Sequence, residues 1–260
     1  MKKLATTFAL LTLVFASAPS MAVTLMTDSF TYPAGDLVPN GGWANFSGAG
    51  TEIQVSSGRA VVDHNSAPDD HIAFPSQSAT TKVYACFDVI VPPLAGPPKP
   101  TYFAMIKDVG TSNFVSRVYV LASNGGLTFG ISHTSTNTTI GLTPWTAPIT
   151  AGTKYNIVIN NDPVNHSSTL WVNPVNELSP SVTDVNASFT EVALDHFGLR
   201  ESSSASTLPP AQTTAFAGSA NAIISVDNLG VGTTFADACA QYQSTPAQRS
   251  TWGQVKQIYR

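Results

Sequence analysis

Residues 62–71 read VDHNSAPDDH, placing three aspartates and two histidines within ten positions of a chain in which only 11% of residues are charged. Asp63, Asp69 and Asp70 could supply oxygens to Ca2+, and His64 and His71 could supply nitrogens to Zn2+. The two ions want different donors, and this mixture matches neither pattern cleanly. Asn65, Ser66 and Pro68 carry turn chemistry between a run that ends at Val62 and one that begins at Ile72. The segment therefore reads as a solvated connection between strands, with weak Ca2+ binding as the alternative.

Covalent or acid–base catalysis finds little support. A retaining pair of carboxylates must sit ~5–5.5 Å apart. Glu191 and Asp195 in EVALDH are four positions apart, roughly 13 Å along an extended strand. The chain holds no Gly-x-Ser-x-Gly, no His-Glu-x-x-His and no cysteine cluster. His196 in LDHFGL reads as a packed structural histidine rather than a base. No catalytic residue is assigned, and the chain reads as a non-enzyme. Exposed aromatics, by contrast, can stack on sugar rings. Trp145 in the polar stretch GLTPWTAP, Trp43 after Asn40-Gly41-Gly42, and Tyr32 are the candidate ligand-binding residues. Each can also close one end of a core.

The elements that would position these residues are short. Residues 82–91, KVYACFDVIV, put Val83, Ala85, Phe87, Val89 and Val91 on one face, as a half-buried strand requires. Residues 154–160 alternate in the same way. Further runs lie at 24–30, 51–55, 59–63, 102–106, 115–121, 127–131, 168–172, 189–199 and 222–231. Asn-Gly-Gly, Ser-Gly and Asn-Asp-Pro punctuate them. No helical period appears between Val23 and Phe235. Such regular short strands argue for an all-β, two-sheet antiparallel jelly-roll sandwich. The proline-rich stretch at 92–100 reads as a stiff loop. In the last run Asp227 shares a phase with Ile223, Leu229 and Val231, so it points toward apolar neighbours unless a bulge intervenes.

The ends have a different character. Lys2 and Lys3, an apolar stretch and small residues before Ala22 match a secretory signal peptide over residues 1–22. The apolar stretch is shorter than the ~20 residues a membrane span needs. A secreted, periplasmic or cell-surface location is expected. Export permits a Cys86–Cys239 disulfide, and one buried and one tail thiol is the alternative. A formal net charge of −4 leaves no basic footprint for nucleic acid. Residues 239–260 read as a polar linker and a short helix. Thr251 and Gln254 form a capping box there, and Trp252, Val255, Ile258 and Tyr259 an apolar stripe. So short a helix must dock or fray, which makes the stretch from Trp252 to the terminal Arg260 a candidate protein-partner site.

Four pieces carry a family resemblance: DSFTYPAGDLVPNGGWANFSGAG (28–50), IQVSSGRAVV (53–62), LWVNP (170–174) and VDNLGVGTTFADA (226–238). Together they resemble the concanavalin A-like (LamG-like) sandwich domains of secreted bacterial proteins, over residues 23–238. The resemblance implies a jelly roll of twelve to fourteen strands whose first and last strands pair. It does not imply one activity, since the fold hosts lectins, carbohydrate-binding modules, glycosidases, lyases and adhesion domains. It places Trp43 in the core. By setting the first strand beside the last, it makes Asp28 and Asp227 candidate ligands of a structural Ca2+, while the reading preferred for Asp227 is an acceptor that caps backbone N–H groups; no cofactor is required. The expected role is an exported binding module for glycan or another extracellular polymer. The alternatives are an adhesion protein acting through its tail, or a diverged polysaccharide hydrolase or lyase.

Overall fold

The computed structural model describes residues 23–123, 126–134 and 141–242. The leader expected over 1–22 and the helix expected over 251–260 lie outside the described residues. Sixteen strands run in chain order among the described residues: β1 (Thr24–Asp28), β2 (Gly35–Asp36), β3 (Ala44–Ser47), β4 (Gln54–Ser56), β5 (Arg59–Asp63), β6 (Asp69–Gln77), β7 (Val83–Ile90) and β8 (Thr101–Lys107), then β9 (Phe114–Ser123), β10 (Gly126–Ser132), β11 (Thr143–Pro144), β12 (Lys154–Asp162), β13 (Ser167–Val172), β14 (Ser181–Val185), β15 (Leu194–Arg200) and β16 (Ile223–Gly232). Two short helices, α1 (Pro210–Ala215) and α2 (Phe235–Ala238), flank β16.

The strands form two antiparallel sheets. One is ordered β14-β13-β12-β7-β16-β5-β4-β2, with β1 also on β16. The other is ordered β11-β10-β9-β8-β15-β6-β3. The chain is thus an all-β jelly-roll sandwich of two antiparallel sheets, and its first and last strands pair through Asp28↔Leu229 and Thr27↔Gly230. The alternation in β7 turns Val83, Ala85, Phe87 and Val89 into the core, where none is exposed. Phe87 meets Phe103 and Phe197 of the opposite sheet edge-on, with centroids 6.5 and 5.4 Å apart. Burying a side chain of this size stabilises the fold by roughly 1.5–3 kcal/mol.

Two local departures from simple alternation matter. Asn228 has φ 51° in a bulge between Asp227 and Gly230, and this resets the phase of β16. Ile224 and Val226 before the bulge, and Leu229 and Val231 after it, all face the core, so Asp227 turns outward. The strand expected over 189–199 begins only at Leu194, because residues 189–193 leave the sheet and carry Glu191 to a histidine pair.

The outer face of the nine-stranded sheet is covered where β7 and β13 pass. Cys86 on β7 is disulfide-bonded to Cys239, with Cα atoms 5.4 Å apart. The bond pins α2 over Tyr84, Val158 and Trp171, which pack with Phe235, Ala238 and Tyr242. Thr234 caps α2 by accepting from the Asp237 N–H.

Candidate functional site

The second covered face belongs to the seven-stranded sheet. Residues 201–217 leave β15 and fold back over its outer side. The Ser204 carbonyl accepts from Thr101, Ser206 N–H donates to the Pro100 carbonyl, and Gln212 of α1 bonds both backbone groups of Leu142. Leu208 and Phe216 pack on Met105, Tyr119 and Leu121. The strand period decides what lies beneath. On β9, Val118 and Val120 enter the core, so Arg117, Tyr119 and Leu121 face the covering segment. On β15, Phe197 and Leu199 face inward and Arg200 outward. On β6, Ile72 and Phe74 face inward and Asp69 and His71 outward.

Between sheet and covering segment lies a cavity of about 310 Å3, lined by Asp69, Tyr102, Phe114, Arg117 and Arg200, together with the hydroxyl-bearing residues Ser47, Thr111, Ser204, Ser206 and Thr207. Both guanidinium groups lie against the Tyr102 ring, Arg200 at 4.3 Å and Arg117 at 4.7 Å from its centroid. Arg117 is 2% exposed and donates through Nε to the Phe114 carbonyl. Its Nη2 has no partner, and neither do Arg200 Nη1, Asp69 Oδ1 and the Tyr119 hydroxyl. Arg200 Nε stands 3.8 Å from Asp69 Oδ2, an ion pair too long to be a hydrogen bond. Burial pushes the Asp69 carboxyl up to about 7 against the pull of Arg200, and raises Tyr102 so that its hydroxyl keeps its proton.

Next to the cavity, Gly198 on β15 opens a crossing. A Cβ there would lie 2.6 Å from the Met105 methyl and 3.2 Å from Lys107 Cδ. Its absence lets Lys107 reach from β8 over β15 to donate to His71 Nδ1 on β6, at 3.1 Å. His71 stacks on His196 at 4.2 Å, and Lys107 Nζ sits 4.1 Å from the Phe46 ring centre. Burial lowers Lys107 to about 8. Burial, then Lys107 and His196, lower His71 to about 4, so the imidazole is a neutral acceptor.

This geometry corrects the reading of residues 62–71. Only the tip, Asn65–Ala67 in sequence, is a turn open to solvent. Strand β6 starts at Asp69, between β3 and β15, so Asp69, Asp70 and His64 are buried. Asp69 goes to the cavity. Asp70 goes to the inner side, where Asn45 donates to both Asp70 and Glu52 at 3.4 Å. Glu201 Oε1 accepts the Asp63 backbone N–H at 2.8 Å. Burial, reinforced by Glu52, pushes Asp70 up to about 7, and burial pushes Glu201 to the same range. The sequence does not show which strand covers a polar run, so a buried acid cluster read as a solvated turn.

The other predicted residues separate. Asp28 is a buried acceptor: its carboxylate takes the Trp43 indole N–H at 2.7 Å, the Tyr32 hydroxyl at 2.9 Å and the Phe30 N–H at 2.8 Å. Three donors aim at the oxygens that a cation would need. Asp227 instead accepts from the Asn228 N–H and faces Arg59 at 3.8 Å. Among the described residues no three His, Cys, Asp or Glu side chains gather as a cation cage. Asp28 is thus a structural hub, and Asp227 is an acceptor for a backbone N–H, the structural reading of that residue. Trp43, 2% exposed, is a core plug rather than a ligand platform. Tyr32 lines a different cavity with Thr27, Asp28 and Gln241, and burial and Asp28 push its hydroxyl up to about 12. Trp145 is half-buried beside β11, its carbonyl accepting from Thr128, and lines neither cavity.

Sequence reasoning missed Arg117 and Arg200. The signal was present: the chain holds only 12 lysines and arginines, and Arg117 falls inside a predicted strand while Arg200 directly follows one. It also missed a chain of buried polar groups. His133 Nδ1 lies 2.9 Å from Ser168 Oγ, and Nε2 lies 3.0 Å from Glu191, which His166 also meets. Ser168 is fully buried and held by Ser116 at 2.8 Å. Burial lowers His133 against the pull of Glu191. With its hydroxyl sealed from solvent, this Ser–His–Glu series braces β10, β13 and the 186–193 connection rather than presenting a nucleophile.

No family model matches the sequence, and no curated protein matches it. Among solved structures, the chain is similar to the CBM2 module of an evolved Dit protein of Lactobacillus casei BL23 phage J-1, at 12% identity and a TM-score of 0.51, over 82% of this chain and 96% of that one. It is also similar to peanut lectin (12% identity, TM-score 0.42, 80% and 97% covered) and to the family 7 alginate lyase A1-II′ (10%, 0.45, 73% and 91%). The first of these likenesses shows the fold, a jelly-roll β-sandwich, and nothing finer.

Proposed function

We propose that this chain is an exported, non-catalytic glycan-binding sandwich whose ligand enters the cavity between the seven-stranded sheet and residues 201–217. The observation that carries this reading is the cavity itself: a polar-rimmed hollow with an aromatic wall, lined by three residues, Asp69, Arg117 and Arg200, that each carry a buried polar atom without a partner. Unpaired buried donors cost free energy in the empty protein, so a ligand that satisfies them is favoured. Hydroxyl rims and aromatic walls suit sugars, which present hydroxyls at the edge and C–H groups on the face. Export rests on the leader pattern of residues 1–22 and agrees with the disulfide.

The test is a thermal-shift panel of soluble glycans on the mature protein, since a ligand that binds only the folded state raises the midpoint. Ala205, exposed on the covering segment, lines the cavity, and A205W fills it. A shift that A205W abolishes and W145A retains supports the reading. Binding that survives A205W and vanishes in W145A moves the site to β11. No shift with any glycan removes the proposal, and turnover of a bound polysaccharide removes its non-catalytic part.

A further inference from the structure

The cavity is unusual in its charge. Two guanidinium groups line it, and Arg117 is almost wholly buried. The only acidic side chain in the lining is Asp69, which stands too far from Arg200 to hydrogen-bond it. Unpaired N–H groups on both arginines therefore remain with no protein acceptor. A neutral sugar could take hydrogen bonds from them but would leave two guanidinium charges facing the single Asp69 carboxyl, which is the costlier deficit. A carboxylate answers both needs, because guanidinium donors match its two oxygens in geometry and sign.

We infer that the ligand is an acidic glycan, a polyuronate, whose carboxylate is held by Arg117 and Arg200 against the Tyr102 ring. The inference rests on the cavity being a glycan site and names the class of glycan. The surrounding hydroxyls of Ser47, Ser204 and Thr207 are then left for the sugar's own hydroxyls. The chain's net charge of −4 opposes unspecific attraction of polyanions, so binding of one would have to come from a local site.

The experiment is isothermal titration of the mature protein with polygalacturonate and alginate (carboxylate), dextran sulfate (sulfate only) and unmodified dextran and laminarin (neutral), at low and at high NaCl. The polyuronates are expected to bind, more weakly in high salt, while dextran and laminarin do not. R200Q and R117Q should each weaken the polyuronate by roughly ten- to a hundredfold, the scale of one lost charged hydrogen-bond partner. Melts of each variant report folding. Arg200 is partly exposed, so R200Q keeps the test open if R117Q does not fold. Equal binding of a neutral glycan by the native protein and R200Q overturns the acidic class and leaves the glycan site standing. Binding of dextran sulfate in place of the polyuronates overturns the carboxylate assignment. Binding of none of these overturns the glycan site itself.

Discussion

Replacing Asp28 by alanine tests the account of the first-strand hub most sharply. The carboxylate accepts three hydrogen bonds, from the Trp43 indole, the Tyr32 hydroxyl and the Phe30 N–H. Trp43 and Phe30 are buried, so their N–H groups cannot turn to water when the acceptor goes. Tyr32 lines a surface cavity and can be hydrated. Leaving a buried donor unpaired costs ~1–3 kcal/mol, and two such donors give about 2–6 kcal/mol. The lower half of that range already lowers the melting midpoint by about 4–16 °C for a domain of this size. D28A should therefore melt well below the native protein in urea and on heating. The same loss should appear in EDTA and in millimolar Ca2+, because the hub is made of protein donors. W43F removes donor and hydrogen bond together, leaves the carboxylate to its other two donors, and should cost less than D28A. A native midpoint that rises with Ca2+, and fails to do so in D28A, would refute the argument and restore a cation at this place. So would a D28A protein as stable as the native one.

Two further outcomes follow from the buried groups. The Cys86–Cys239 bond closes a loop across a separation of 153 residues, so C86A/C239A should lose up to about 5 kcal/mol in the chain-entropy account. α2 should then loosen over Tyr84 and Trp171, seen in near-UV dichroism, and an unchanged urea midpoint in reductant would rule this out. Asp70 is raised from 3.8 to about 7, so its stabilising share is complete below 3.8, declines as pH climbs and is gone above about 7. D70N, which mimics the neutral acid, should gain on the native protein as pH climbs between those limits and hold that gain above them. A difference between the two proteins that does not change with pH would show that Asp70 titrates normally.

Much of the architecture was legible in the residue order. A period of two needs no tertiary information, and Val83, Ala85, Phe87 and Val89 face the core as their spacing requires. Gly and Asn-rich breaks set the strand lengths, and the absence of a helical period excluded the other fold classes. Trp43 could be assigned to the core from its place in the opening segment. Asp227 could be judged only conditionally. Whether it faced in or out depended on a bulge at Asn228, which is a backbone choice made by three neighbouring strands at once.

The candidate site was not legible, for a related reason. Alternation says that Arg117, Arg200 and Asp69 leave the core, and an outward charge ordinarily means solvent. Only the return of residues 201–217 across the sheet converts that face into a second interior. The same return makes Tyr102 a shared platform for two guanidinium groups that are 83 positions apart in the chain. Sequence spacing determines which side of its own strand a residue takes. What covers that side is decided by long-range packing, and burial, the shifted acids and the unpaired arginine donors all follow from the cover.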